Sequence, residues 1–133
     1  MIKLTRRTLL VGTSALVAAG TVSFRALAAS RTYHALLVAC TEYPALPQRN
    51  WLIGPKNDAG LVHEYLLKNV PDPVRFAPEN VTLLAKDVPG AKGLPTHAAI
   101  KAALADLAAK VQRDDFVYLH LSGHGAQQPE RVK

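Results

Sequence analysis

Three short apolar segments, separated by two helical patterns, constrain the fold of this chain more than any other feature. The segments cover residues 33–40, 80–85 and 116–121, and their runs of aliphatic, β-branched and aromatic residues are typical of buried strands. The alternation of strand and helix predicts an α/β fold with a parallel sheet and right-handed crossovers. The commonest order for such a unit places the second strand first, the first strand in the middle and the third strand last.

Two amphipathic helices are predicted between the strands. Asn57 or Asp58 can cap the first helix, which runs to about Asn69. Its apolar residues at helical spacing are Leu61, Val62, Tyr65 and Leu66. Thr96 can cap the second helix. The apolar stripe of the second helix comprises Ile100, Ala103, Leu104, Leu107, Ala108 and Val111.

Residues 1–28 are predicted to be an export signal. Arg6 and Arg7 precede a weakly apolar run at 8–24, and residues 26–28 (Ala-Leu-Ala) offer a cleavage site of small residues. The segment around the two arginines resembles the twin-arginine export motif. We therefore expect a periplasmic or extracellular protein that meets the membrane only through this signal. Retention as an uncleaved N-terminal anchor is the alternative.

Composition argues against nucleic acid, disulfides and metals in the rest of the chain. The formal net charge of +6 at pH 7 falls to +2 without residues 1–28, which hold four basic and no acidic residues. The remainder shows no basic stripe interleaved with aromatic residues. Cys40 is the only cysteine, so no internal disulfide can form. The histidines lack the spacing of zinc ligands, and no metal site is predicted.

The third strand runs directly into Ser122-Gly123-His124-Gly125, which is the strongest candidate site in the sequence. Two glycines around a histidine predict a tight turn at which the backbone can approach a substrate closely. Parallel sheets bind ligands where the strand order reverses, here between the first and third strands. The crevice would be walled by residues 40–43 and 122–125. The alternative on this local pattern alone is a loop histidine without a functional role.

These segments together resemble the caspase-like cysteine peptidases, and most closely the bacterial metacaspase-like proteins. The resemblance covers about residues 33–129. The matching segments are 34–40, 52–59, 80–84 with 95–96, and 122–127, which reads Ser-Gly-His-Gly-Ala-Gln. The resemblance implies a three-layer α-β-α, caspase-like (flavodoxin-like) fold. Residues 29–133 would be its N-terminal part, with a sheet that is incomplete at the C-terminal end.

The resemblance also implies a reaction and a set of roles. The family hydrolyses bonds in peptide or protein substrates with a Cys/His dyad, in which His124 would handle the protons. Gly125 would supply a backbone N–H to the developing oxyanion. Asp58 would receive a basic P1 side chain, so cleavage after Arg or Lys is expected. The family's nucleophile lies in an Asp-x-Cys segment after the next strand, and is expected beyond Lys133.

Other residues have plainer interpretations. Cys40 is expected to be a structural cysteine of the first strand. His120 is expected to be a packed strand residue, and Asp114-Asp115 a solvated turn. No cofactor is expected. Some metacaspases depend on calcium, but no calcium ligand set is evident in this sequence.

Two other functions stay open on the sequence alone. The first is a catalytically inactive caspase-like module that binds peptides or regulates a partner. The second is a serine hydrolase in which His124 and Gly125 belong to an oxyanion loop. That reaction needs a Gly-x-Ser-x-Gly elbow, and the 133 residues contain none.

Overall fold

The computed structural model describes residues 31–125, so the predicted export signal lies outside the described residues. The strands are β1 (Tyr33–Ala39), β2 (Val81–Ala85) and β3 (Phe116–Ser122), and the α-helices are α1 (Gly54–Glu64) and α2 (His97–Lys110). A π-helical turn at Tyr65–Asn69 continues α1, and 3₁₀ turns lie at Gln48–Asn50 and Pro78–Asn80. Within this part of the chain no helix is long and apolar enough to cross a membrane.

The sheet is parallel with the order β2-β1-β3, which confirms the predicted topology. Leu37 of β1 is in register with Leu83 of β2 and His120 of β3. Side chains of β1 alternate between two apolar clusters, one that includes Ala59 of α1 and one that includes residues of α2. Because helices cover both faces, β1 is an almost unbroken apolar run, and the domain has the predicted α-β-α layers.

Helix α1 begins at Gly54, one turn earlier than predicted, and Ile53 is its N-cap without a side-chain hydrogen bond. The prediction that Asn57 or Asp58 caps this helix is therefore wrong. Pro55 explains the difference, because proline has the backbone angle of a first helical turn and lacks an N–H that would need a partner. Asp58 is instead an exposed residue inside the helix.

The earlier start also changes which face of α1 is buried. Pro55, Ala59 and Leu66 pack toward the sheet. Leu61 and Tyr65, which were predicted to face the core, are 69% and 54% exposed. The small side chain of Ala59, which is fully buried, lets the helix approach the strands closely.

Helix α2 covers the opposite face of the sheet, and its predicted cap is confirmed. The hydroxyl of Thr96 accepts a hydrogen bond from the backbone N–H of Ala99 at 3.2 Å. The residues of α2 that pack on the sheet are Ala99, Ile100, Ala103 and Leu107. Leu104 was assigned to the same stripe but is 41% exposed.

Strand β3 lies at the edge of the described sheet, as predicted. It pairs with β1 on one side only. Val117, Leu119 and Leu121 are 38%, 50% and 67% exposed. Natural sheets usually protect or cover such apolar edges, so this edge is the surface on which further structure is expected to pack.

Candidate active site

The site lies at the carboxyl ends of β1 and β3, where the sequence predicted a crevice. The backbone N–H of Cys40 donates to the carbonyl of Ser122 at 2.9 Å, which extends the ladder one step beyond the strands. The chain then diverges into the loop that follows β1 and the turn that contains His124. These two segments come back into contact through Tyr43 and His124, whose hydroxyl and backbone N–H lie 2.6 Å apart.

The imidazole of His124 is held by a backbone carbonyl. Its Nε2 lies 2.7 Å from the carbonyl oxygen of Asn50. A carbonyl can only accept a hydrogen bond, so Nε2 carries the hydrogen. In the neutral ring the lone pair is then on Nδ1. His124 is exposed, so this nitrogen is in a position to accept a proton from a reacting group.

Tyr43 is a residue of the candidate site that the sequence reasoning did not single out. Its hydroxyl donates to the carbonyl of Cys40 at 3.0 Å, and its ring centroid lies 4.7 Å from that of His124. The indole N–H of Trp51 donates to the carbonyl of Tyr43 at 3.0 Å. The only sequence signal was the position of Tyr43 in the predicted crevice wall.

The two glycines around His124 play different parts. A Cβ on Gly123 would lie 2.6 Å from the hydroxyl of Tyr43 and 3.0 Å from the Cβ of Cys40. Glycine is therefore required at this position by close approach of the turn to the loop. A Cβ on Gly125 would have no atom of the described residues 31–125 within 4 Å, so close packing among these residues does not require glycine at this position.

An open cleft of about 430 Å³ lies beside His124. It is lined by Leu46, Arg49, Asn50, Trp51, Leu52, His124 and Gly125. The loop after β1 folds back to form its wall, since the backbone N–H of Leu52 donates to the carbonyl of Thr41 at 2.9 Å. The loop that follows β1 is therefore one side of this cleft.

Asp58 does not line this cleft, but its position on α1 is informative. A Cβ on Gly60 would meet Val88 of the loop after β2 at 3.5 Å. Ala59 points into the core. Since each helical residue turns by about 100°, Asp58 and Gly60 lie on opposite flanks of Ala59. Asp58 is therefore on the flank of α1 directed toward β3 and its open edge.

Cys40 is half-buried, and its environment does not suit a nucleophile. Its Sγ lies 3.9 Å from the carbonyl oxygen of Pro95, and its side chain packs with the α2 cluster. Burial raises the pKa of the Cys40 thiol. A thiol with a raised pKa holds less of the reactive thiolate at neutral pH. These observations agree with the structural role expected for Cys40.

Three further polar groups have plainer environments. His120 packs within the sheet, and its Nε2 is buried without a hydrogen-bond partner among residues 31–125. The solvated turn predicted for Asp114-Asp115 is wrong for Asp115, whose side chain is only 10% exposed and accepts two backbone N–H groups. No three potential metal ligands come together in the described part of the chain.

Comparison with known proteins identifies the family. The metacaspase, peptidase C14 domain family matches residues 33–133, which places the fold in the caspase-like class. The chain is 33% identical over 79 residues to Metacaspase-1 of Cryptococcus neoformans, covering 59% of this chain and 16% of that protein. It is 32% identical over 108 residues to Metacaspase-1A of Aspergillus oryzae, covering 81% of this chain and 24% of that protein. The chain belongs to the metacaspase family.

The two fungal relatives are much longer proteins than this chain. The chain spans a quarter or less of the length of each of them. Closeness to the bacterial metacaspase-like proteins stays a prediction, because these relatives come from Cryptococcus and Aspergillus.

Proposed function

We propose that this chain is part of a cysteine-type endopeptidase in which His124 is the proton carrier of a Cys/His dyad. The observation that supports this role is the bond between Nε2 of His124 and the carbonyl of Asn50 at 2.7 Å. It orients an exposed imidazole at the carboxyl edge of a parallel sheet, beside a cleft, and leaves Nδ1 to exchange protons. The membership of the metacaspase family supports the same reaction class.

In the proposed reaction the nucleophile is a cysteine outside these 133 residues. Cys40 is a poor alternative, since its thiol is half-buried, packs with α2 and has a raised pKa. The attacking thiol passes its proton to Nδ1 of His124, and the thiolate forms a bond to the peptide carbonyl carbon. The resulting oxyanion accepts a hydrogen bond from the backbone N–H of Gly125. The C–N bond then breaks as the imidazolium returns the proton to the leaving amine, and a thioester is left on the cysteine. Water hydrolyses this thioester, which releases the carboxylic acid and restores the thiol.

We further propose that Asp58 selects Arg or Lys at P1. Its support is an exposed carboxylate on the flank of α1 directed toward the open edge of β3. The segment that carries the nucleophile would pair with this edge, so a substrate held there would lie near Asp58. A carboxylate favours a cationic side chain and disfavours an acidic one.

Peptidase activity and specificity are tested together in the complete gene product. Four reporter peptides that differ only at P1, with Arg, Lys, Asp or Leu, should show cleavage after Arg and Lys alone. Asp58→Asn should lower kcat/KM for the Arg and Lys peptides by about 10- to 100-fold, because it removes the charge partner of P1. Asp106→Asn, which changes an exposed residue of α2 that does not line the cleft beside His124, is the matched control and should change nothing.

Each outcome of this assay decides between functions. Equal cleavage of the Arg and Leu peptides would reject the role of Asp58 and leave the peptidase intact. Loss of activity on treatment with iodoacetamide would exclude a serine nucleophile. A complete gene product that cleaves no peptide would favour the inactive peptide-binding or regulatory module.

We also propose that residues 1–28 direct export by the twin-arginine route, on the basis of the sequence motif alone. The expected product is a periplasmic or extracellular protein that begins near residue 29. N-terminal peptide mapping of the protein from its native source measures this directly. A product in the cytoplasm that retains Met1 or residue 2 at its N-terminus would contradict export.

A further inference from the structure

Tyr43 connects the two segments that wall the cleft. Its hydroxyl donates to the carbonyl of Cys40 at 3.0 Å and accepts from the backbone N–H of His124 at 2.6 Å. A phenol has one hydrogen to donate and lone pairs to accept with, so both bonds form at once. The end of β1 is thereby tied to the turn after β3, although Tyr43 and His124 are 81 residues apart in sequence.

The ring of Tyr43 also contacts the imidazole that it helps to place. The two ring centroids are 4.7 Å apart, with an angle of 51° between the planes. The carbonyl of Asn50 fixes the imidazole through Nε2. Tyr43 is itself held by the indole N–H of Trp51. The backbone, ring plane and tautomer of His124 are therefore all determined by the loop that follows β1.

Gly123 shows how closely the turn approaches the same hydroxyl. A Cβ at position 123 would lie 2.6 Å from the hydroxyl of Tyr43, closer than real Cβ contacts. The turn can therefore reach the hydroxyl only with glycine at this position. Any larger residue would push the turn, and His124 with it, away from Tyr43.

We propose that Tyr43 is a positioning residue for His124. It holds the imidazole so that Nε2–H stays on Asn50 and Nδ1 stays available for proton transfer. This assignment rests on the proposed function, in which His124 carries the proton. Small displacements of a catalytic group can lower rates by about 100-fold, so the expected effect is on the chemical step rather than on substrate binding.

The first test observes the imidazole directly and requires no peptidase activity. Nitrogen-15 NMR of the histidine-labelled complete gene product at pH 9, where free histidine is neutral, distinguishes the two tautomers. His124→Gln identifies the signal. Wild type should show the Nε2–H form. Tyr43→Phe should increase the other tautomer at least threefold, and Tyr65→Phe, which alters an exposed tyrosine on the π-helical turn, should not.

The second test measures kinetics in the complete gene product. Tyr43→Phe should lower kcat by about 10- to 100-fold and leave KM within about twofold, because binding groups are unchanged. Gly123→Ala should give the same kinetic change from the other side of the contact. It also serves as the second variant if Tyr43→Phe loses its native circular dichroism spectrum.

The two tests separate this inference from the function on which it rests. A wild-type gene product without peptidase activity would reject the proposed function, while the tautomer measurement would still decide whether Tyr43 positions His124. An active wild type with unchanged tautomer and unchanged kcat in Tyr43→Phe would overturn the role of Tyr43 alone. A rise in KM at constant kcat would also overturn it, because that result indicates a substrate contact.

Discussion

Two histidines at opposite ends of the sheet show what separates a structural imidazole from a reactive one. His34, near the start of β1, has a side chain that is 6% exposed and an Nε2 that lies 3.3 Å from a carboxylate oxygen of Asp115. His124, after the end of β3, is exposed, and its Nε2 bonds the neutral carbonyl of Asn50 at 2.7 Å. One ring is enclosed by the fold, and the other lies beside a cleft with no hydrogen bond from Nδ1 to any residue of 31–125.

The partner of each histidine explains the difference further. Asp115 accepts the backbone N–H groups of Thr32 at 3.0 Å and Gln112 at 2.9 Å. The hydrogen bonds from Gln112 and Thr32, and then that from His34, lower the pKa of Asp115. This carboxylate therefore joins the segment before β1 to the turn before β3 at the amino ends of the two strands. Among the described hydrogen bonds, the ring of His124 has instead a neutral backbone carbonyl as its partner.

The largest expected effect is a loss of activity on substitution of His124, whereas substitution of His34 should reduce stability. In the complete gene product, His124→Ala should lower kcat/KM by about 10²–10⁴-fold, because the proton carrier is lost. His34→Ala should instead lower the free energy of unfolding by about 1–3 kcal/mol and leave kcat/KM of the folded protein unchanged. Peptide cleavage assays and urea unfolding of both variants measure this. Equal loss of activity in the two variants would show that the reaction depends on His34 as much as on His124.

The free energy of unfolding at a series of pH values tests the contribution of the negative charge of Asp115, which lies directly before β3. The pKa of Asp115 is lowered in the folded state, so its carboxylate stabilises the protein at pH values above 3.8, the ordinary pKa of an aspartate. This stabilisation is lost as the pH falls through the lower folded-state pKa. Asp115→Asn should therefore be less stable than wild type at pH 7, and the gap should narrow toward pH 3. Urea unfolding from pH 7 to pH 3 measures it, with Asp106→Asn as control.

Asparagine removes the negative charge and also replaces one of the two accepting oxygens of Asp115 by an NH₂ donor. The part of the stability difference that narrows toward pH 3 therefore reports the charge, and the part that is the same at every pH reports the lost hydrogen bonds. A difference that is the same at every pH would show that the charge of Asp115 does not stabilise the protein.

The smallest effect is expected at Cys40, which follows the last residue of β1 and packs with the α2 cluster. Cys40→Ala in the complete gene product should keep kcat/KM within about twofold of wild type. Since burial raises the pKa of the thiol, iodoacetamide should modify Cys40 more slowly than a free cysteine at pH 7. Mass spectrometry over time measures the rate. Abolished cleavage in Cys40→Ala would identify Cys40 as the nucleophile instead.

Much of the fold could be predicted because its signals are local. The continuous apolar run of β1 and the cap at Thr96 are visible within a few residues of sequence, and both were predicted. The start of α1 was missed because two local signals competed, and Pro55 in the first turn prevailed over the possible caps at Asn57 and Asp58. That shift by one turn also determined which residues of α1 are buried.

The candidate site divides in the same way. The sequence alone identified His124, since a strand that ends in a glycine-flanked histidine is a local pattern, and the α/β order places that pattern at the carboxyl edge of the sheet. Only the tertiary structure revealed Tyr43 and Asn50 as its partners, and Asp115 as the partner of His34. These contacts join residues 74 to 83 positions apart, and one of them uses a backbone carbonyl that every residue possesses. No residue pattern encodes such a contact, because it depends on where the folded sheet brings the loops together.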